Sequence, residues 1–138
     1  MIPVEAIIKQ LTDYALKNSL RLFKEMEGNL HPYGIVMDQD GNTIPFYDPY
    51  EEEFPDSGEV LAGLRNALYD HMDRYDYRGS ALCYMASKMM NGIEYDLLVL
   101  EFFFSDRSLH YMHWHVIEIH DDNHTFTVHD KIDYYAEQ

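Results

Sequence analysis

Between Lys24 and Arg65 the chain contains no lysine or arginine. The same interval holds Glu25, Glu27, Asp38, Asp40, Asp48, Glu51, Glu52, Glu53, Asp56 and Glu59, ten carboxylates against a formal net charge of −15 for the whole chain. An unbalanced run of one sign sets up a local field that attracts cations and repels phosphate backbones. It bears on partners and association rates, not on the fold. With ten basic residues spread along 138 positions and a pI near 4.6, direct nucleic-acid binding lacks both the charge and the clustering it needs.

Cysteine is equally scarce. Cys83 stands alone, which excludes an internal disulfide. The opening Met1-Ile2-Pro3-Val4-Glu5 has neither the basic region nor the long apolar run of a secretory signal, so the expected location is cytoplasmic. The longest apolar stretch, Leu97 to Leu100 resuming at Phe102 to Phe104, is broken by Glu101 and falls short of the roughly 18 apolar residues of a membrane span. No nucleophile elbow, phosphate loop or dinucleotide fingerprint occurs, and no cofactor is implied. The length suits one hydrophobic core, so residues 1–138 read as a single globular domain.

The pattern that is present alternates between two periods. Val4, Ile7, Ile8, Leu11, Ala15, Leu22 and Phe23 follow Pro3 at mainly helical spacing and stop before Gly28. Tyr33 to Met37 reads as a strand, Asp40-Gly41 as a tight turn with positive φ at both positions, and Thr43, Ile44 and Phe46 as the returning strand. The prolines, acids and aromatics from Pro45 to Pro55 have no period and read as an ordered surface loop. A second helix opens on the Asp56–Glu59 capping box, carries the stripe Val60, Leu61, Leu64, Leu68, Met72 and Tyr75, and closes near Arg78-Gly79. Strands then follow at Ala81 to Met90, Ile93 to Phe104, Leu109 to His120 and His124 to Lys131, the first pair joined by an Asn91-Gly92 turn. The order predicts an α+β domain: an antiparallel sheet, made of a hairpin plus a four-stranded meander, with two helices packed on one face.

Three groups of residues carry candidate chemistry. His113 and His115 are two apart on a strand and project together, which begins a metal site with Glu101 as a conceivable third ligand; the competing reading is a set of hydrogen-bonded sheet histidines. Glu101 itself lies in an apolar run, so either a partner such as Arg107 or a histidine neutralises it or it marks a cleft. Asp38, Asp40 and Asn42 alternate like calcium ligands, but Thr43 and Pro49 occupy the positions where a calcium loop needs glycine and glutamate. Cys83 reads as a small buried residue. The third group combines Tyr47 and Tyr50 with Asp48, Glu51, Glu52, Glu53, Asp56 and Glu59: aromatic anchors within a field that attracts a basic surface. Its competing reading is a solvated acidic loop.

Leu30-His31-Pro32-Tyr33-Gly34, then Asp38 and Gly41, a helix, and a strand bearing Tyr95-Asp96 and Glu101 together resemble a set of small acidic bacterial α+β proteins of uncharacterised function. In that pattern a histidine follows the glutamate and a glycine stands in the next turn, whereas here Phe102 follows Glu101 and Ser105 to Ser108 lack glycine. In type the chain also resembles immunity proteins, which cover the active site of a basic toxin. That resemblance implies a non-enzymatic protein-binding module with a cationic protein partner. The alternatives are a metal-dependent enzyme or metal-binding protein at His113 and His115, and an acidic mimic of DNA.

Overall fold

A computed structural model describes residues 3–28, 30–46, 57–106 and 110–134. The order is α1 (Val4–Glu25), β1 (Tyr33–Met37), β2 (Thr43–Phe46), α2 (Ser57–Arg74), β3 (Gly79–Met90), β4 (Ile93–Phe103), β5 (His110–His120) and β6 (Thr125–Tyr134). The strands form one six-stranded sheet in the order β2-β1-β3-β4-β5-β6, each antiparallel to its neighbour. The expected hairpin and meander are both present, joined where β1 pairs with β3.

The two helices pack on the sheet from opposite faces, where the sequence pattern implied one. Tyr33, Ile35 and Met37 of β1 share a cluster with Ile7, Leu11, Ala15 and Phe23 of α1. Val36, on the opposite pleat, shares another with Leu64 and Leu68 of α2. Connectivity accounts for α2: β2 and β3 flank β1 and run in the same direction, so α2 is the crossover between them and occupies one face. The other face belongs to α1. A signal for it lay in the strands themselves, since β1 and the stretch Leu97 to Phe103 are buried at every position, as strands covered on both faces are.

Most boundaries match within a few residues, and the differences have local causes. Pro45, expected in the loop, pairs with Ile35 inside β2; β2 is an edge strand, where a missing donor costs nothing. Met90 faces Ile93 across Asn91 (φ 53) and Gly92 (φ 79), the expected two-residue turn. The β1–β2 connection is longer. Gly41 alone has positive φ (87), the Gly41 amide donates to the Asp38 carbonyl, and the Asp38 carboxylate accepts from the backbone of Asp40 and Asn42. A glycine that follows a turn stabilised by an aspartate carboxylate needs only one left-handed residue. The second helix stops at Arg74, so Tyr75 lies beyond it and is exposed rather than part of the buried stripe. The proposed capping residue Asp56 lies outside the described residues.

Candidate functional site

Glu101 is the one carboxylate with a described side chain that is buried, at 3% exposure. Its pleat position on β4, opposite Leu82 and Met112, turns it toward the α2 face. There Arg65, two turns into α2, donates to its Oε2 at 2.7 Å, and the Tyr84 hydroxyl donates to the same oxygen at 3.1 Å. Arg65 supplies the partner for which Arg107 or a histidine was expected; position 107 itself lies outside the described residues. Burial and then the neighbouring Glu101 charge push the Tyr84 hydroxyl above the ordinary tyrosine range. Burial opposes the Arg65 charge, yet the Glu101 contact outweighs it and holds the guanidinium above its usual value. Tyr84 is therefore a permanent donor, Arg65 a permanent cation and Glu101 their shared acceptor. Such a cluster ties α2 to the sheet.

The histidine expectation divides along the sheet. His113 pairs with Leu100 and His115 with Leu98, so both rings lie on the α1 face, buried, with the His113 ring edge-on to Phe102 at 5.0 Å. Glu101 points to the other face. The three cannot ligate one ion, because adjacent positions on a strand project to opposite sides. Among the described residues no group of three histidine, cysteine, aspartate or glutamate side chains is arranged to hold a metal. On the solvent side, His129 Nε2 meets Glu118 Oε1 at 2.7 Å and His120 Nε2 meets Thr127 Oγ1 at 2.8 Å. The His129 hydrogen bond holds the Glu118 carboxyl below its usual range.

A buried polar seam escaped the sequence reading. Ser19 continues the apolar stripe of α1 at a helical interval, and its hydroxyl lies 2.7 Å from the Tyr33 hydroxyl and 3.3 Å from the Cys83 sulfur. Burial pushes the Cys83 thiol up to about 11, as expected of an inert interior cysteine. The period that includes Ser19 was legible; its partners, 14 and 64 positions away, were not.

Of the eight residues expected to contact a partner, Tyr47, Asp48, Tyr50, Glu51, Glu52, Glu53 and Asp56 lie outside the described residues; Glu59 lies in the first turns of α2. The described flanks are Phe46, packed edge-on against His71 of α2, and Ser57. Near the acidic interval, Arg21 pairs with Glu25 and Asn18, Arg65 with Glu101, Arg74 with Asp70, and Arg78 with the Gln39 carbonyl. Glu94 and Asp96 at the start of β4, and Asp121 and Asp122 on the β5–β6 turn, add exposed carboxylates. No helix among the described residues is long and apolar enough to cross a membrane. Comparison with protein-family models, curated proteins and solved structures finds no match to this chain.

Proposed function

We propose that this protein is a non-enzymatic binding module whose acidic segment from Asp48 to Glu59 docks on a cationic protein, in the manner of an immunity protein covering a basic toxin. The observation that carries the reading is the pairing of Arg65. It is the first cation after forty positions without one, and its guanidinium donates to buried Glu101. A run of carboxylates with no cation inside it suits an external partner of positive charge. The Glu101 cluster supports a structural role over a catalytic one, because its acceptor is occupied by two donors.

The test begins with capture of a partner by the full chain and continues with its association kinetics. Reversal of Glu51, Glu52 and Glu53 to lysine is expected to slow association at least tenfold at low salt. A captured partner of acidic character, or one whose association rate ignores the triple reversal, overturns the assignment of this segment.

A further inference from the structure

Among the described residues the sheet has a third edge besides those of β2 and β6. β1 pairs with β3 only from Gly79 to Cys83, whereas β3 continues to Met90 in register with β4. The pairing stops at Tyr33–Cys83, the residue after Pro32 being the first of β1. Among the described residues none pairs with Tyr84–Met90 on the side away from β4.

Register fixes which atoms face that edge. The turn at Asn91-Gly92 has two positive φ angles, so its flanking pair Met90–Ile93 exchanges both main-chain bonds. In steps of two, Lys88, Ala86 and Tyr84 also bond to β4. Met85, Ser87 and Met89 therefore direct their N–H and C=O groups outward. The same alternation turns Ala81 and Cys83 toward β1, where the observed pairs Ile35–Ala81 and Tyr33–Cys83 lie.

The two outer edges carry the usual protection against pairing with another chain. β2 is four residues long and contains Pro45; β6 is joined through a bulge at Val116/Ile117 and contains Asp130, Lys131 and Asp133. The β3 edge has neither proline nor bulge. Its single charge, Lys88, has its ammonium 4.3 Å from the Trp114 ring centroid, and Met89 beside it is the most exposed large apolar residue described, at 62%.

We propose that the Tyr84–Met90 edge of β3 pairs antiparallel with the same edge of a second copy of this chain, about a two-fold axis at Ser87. The segment is self-complementary in that register. Ser87 stands opposite Ser87, Met85 opposite Met89 and Lys88 opposite Ala86, so no like charges face one another. The outward groups of Met85, Ser87 and Met89 satisfy those of the second copy in six main-chain bonds. The carboxylates nearest the seam, Asp96 and Glu94, sit one strand back on β4. Equivalent ones on the two copies are then three strand spacings apart, about 14 Å, beyond the roughly 8 Å screening length at physiological salt. The net charge of −15 on each copy still opposes approach, so the dimer strengthens as salt rises. A cationic partner has the opposite dependence.

Sedimentation of the full chain tests this directly. The expected mass rises with concentration from 16.4 kDa toward twice that value, and added sodium chloride strengthens the association several-fold. Ser87→Pro removes a donor at the centre of the seam while leaving the bonds to β4 in place, and is expected to hold the chain at the monomer mass with an unchanged far-ultraviolet spectrum. Should Ser87→Pro fail to fold, Ser87→Lys, which sets like charges face to face, gives the same reading. Ile44→Lys, at a similarly exposed site on β2, is expected to leave the dimer intact. A monomer at all concentrations up to about 1 mM, a dimer that survives the Ser87 variants, or one weakened by salt overturns the proposal.

Discussion

Cys83 and Tyr33 show how burial of neutral acids becomes a dependence of stability on pH. Below pH 9.0 both the folded and the unfolded chain keep the Cys83 proton; from there to about 11 the unfolded thiol releases it while the buried one retains it. The folded state then binds more protons, so its stability falls as pH rises through this window. Burial of the Tyr33 hydroxyl acts in the same direction at still higher pH. Urea midpoints measured between pH 8 and 11 are expected to decline, and Cys83→Ala to flatten the decline, leaving the part due to Tyr33. A flat wild-type profile would contradict the buried seam. Glu101 is held by a cation instead, the Arg65 guanidinium at 2.7 Å. Arg65→Met leaves that carboxylate without its cation and is expected to destabilise by about 3 kcal/mol, the low end for a broken buried pair because Arg65 is partly exposed; equilibrium unfolding provides the number. The need for a partner at Glu101 was legible in the sequence, because a lone carboxylate in an apolar run is costly. Which residue supplied it was not, since Arg65 lies 36 positions away on a helix whose side of the sheet could not be assigned.

At the scale of elements, the local chemistry was informative and the packing was not. Gly92 and Gly41 announce their turns because each needs φ above zero. Leu64, Leu68 and Met72 announce the inner side of α2 by their spacing. Whether the helices share a face depends instead on the order of strands in the sheet, a long-range property that periodicity does not encode. Gly34 links the two levels. A Cβ placed there would stand 3.0 Å from a Leu68 methyl, so the glycine lets α2 lie directly on β1. Gly34→Ala is expected to cost about 1–3 kcal/mol through overpacking. If that contact is the cause, Leu68→Ala should relieve part of the cost in a double-mutant cycle, with a coupling of about 1 kcal/mol. Strict additivity in thermal or urea unfolding would place the strain elsewhere.

For the molecule as a whole, charge is the property that fold and sequence share most directly. All acids with described side chains except Glu101 are at least partly exposed, so the −15 acts on the surroundings instead of on the core. Two contributions to binding then separate by rate. Long-range attraction governs encounter and is screened by ions, so association with a cationic partner should slow as salt rises. Close packing governs escape, so Tyr47→Ala or Tyr50→Ala should raise the dissociation rate by an amount equivalent to about 2 kcal/mol if either is an anchor, with association little changed. Mild acid distinguishes the acidic field from the histidines. Protonation of all eight histidines would bring the formal charge only from −15 to −7, still acidic, so binding should persist unless imidazoles lie within the interface. There, new positive charge would face a basic surface and accelerate dissociation. Stopped-flow association and dissociation, measured across salt concentration and from pH 7.5 to 5.5, assign each effect to its rate. Tyrosine variants that slow association without changing dissociation would show that the aromatics act at encounter, and an association rate indifferent to salt would remove the acidic surface from recognition altogether.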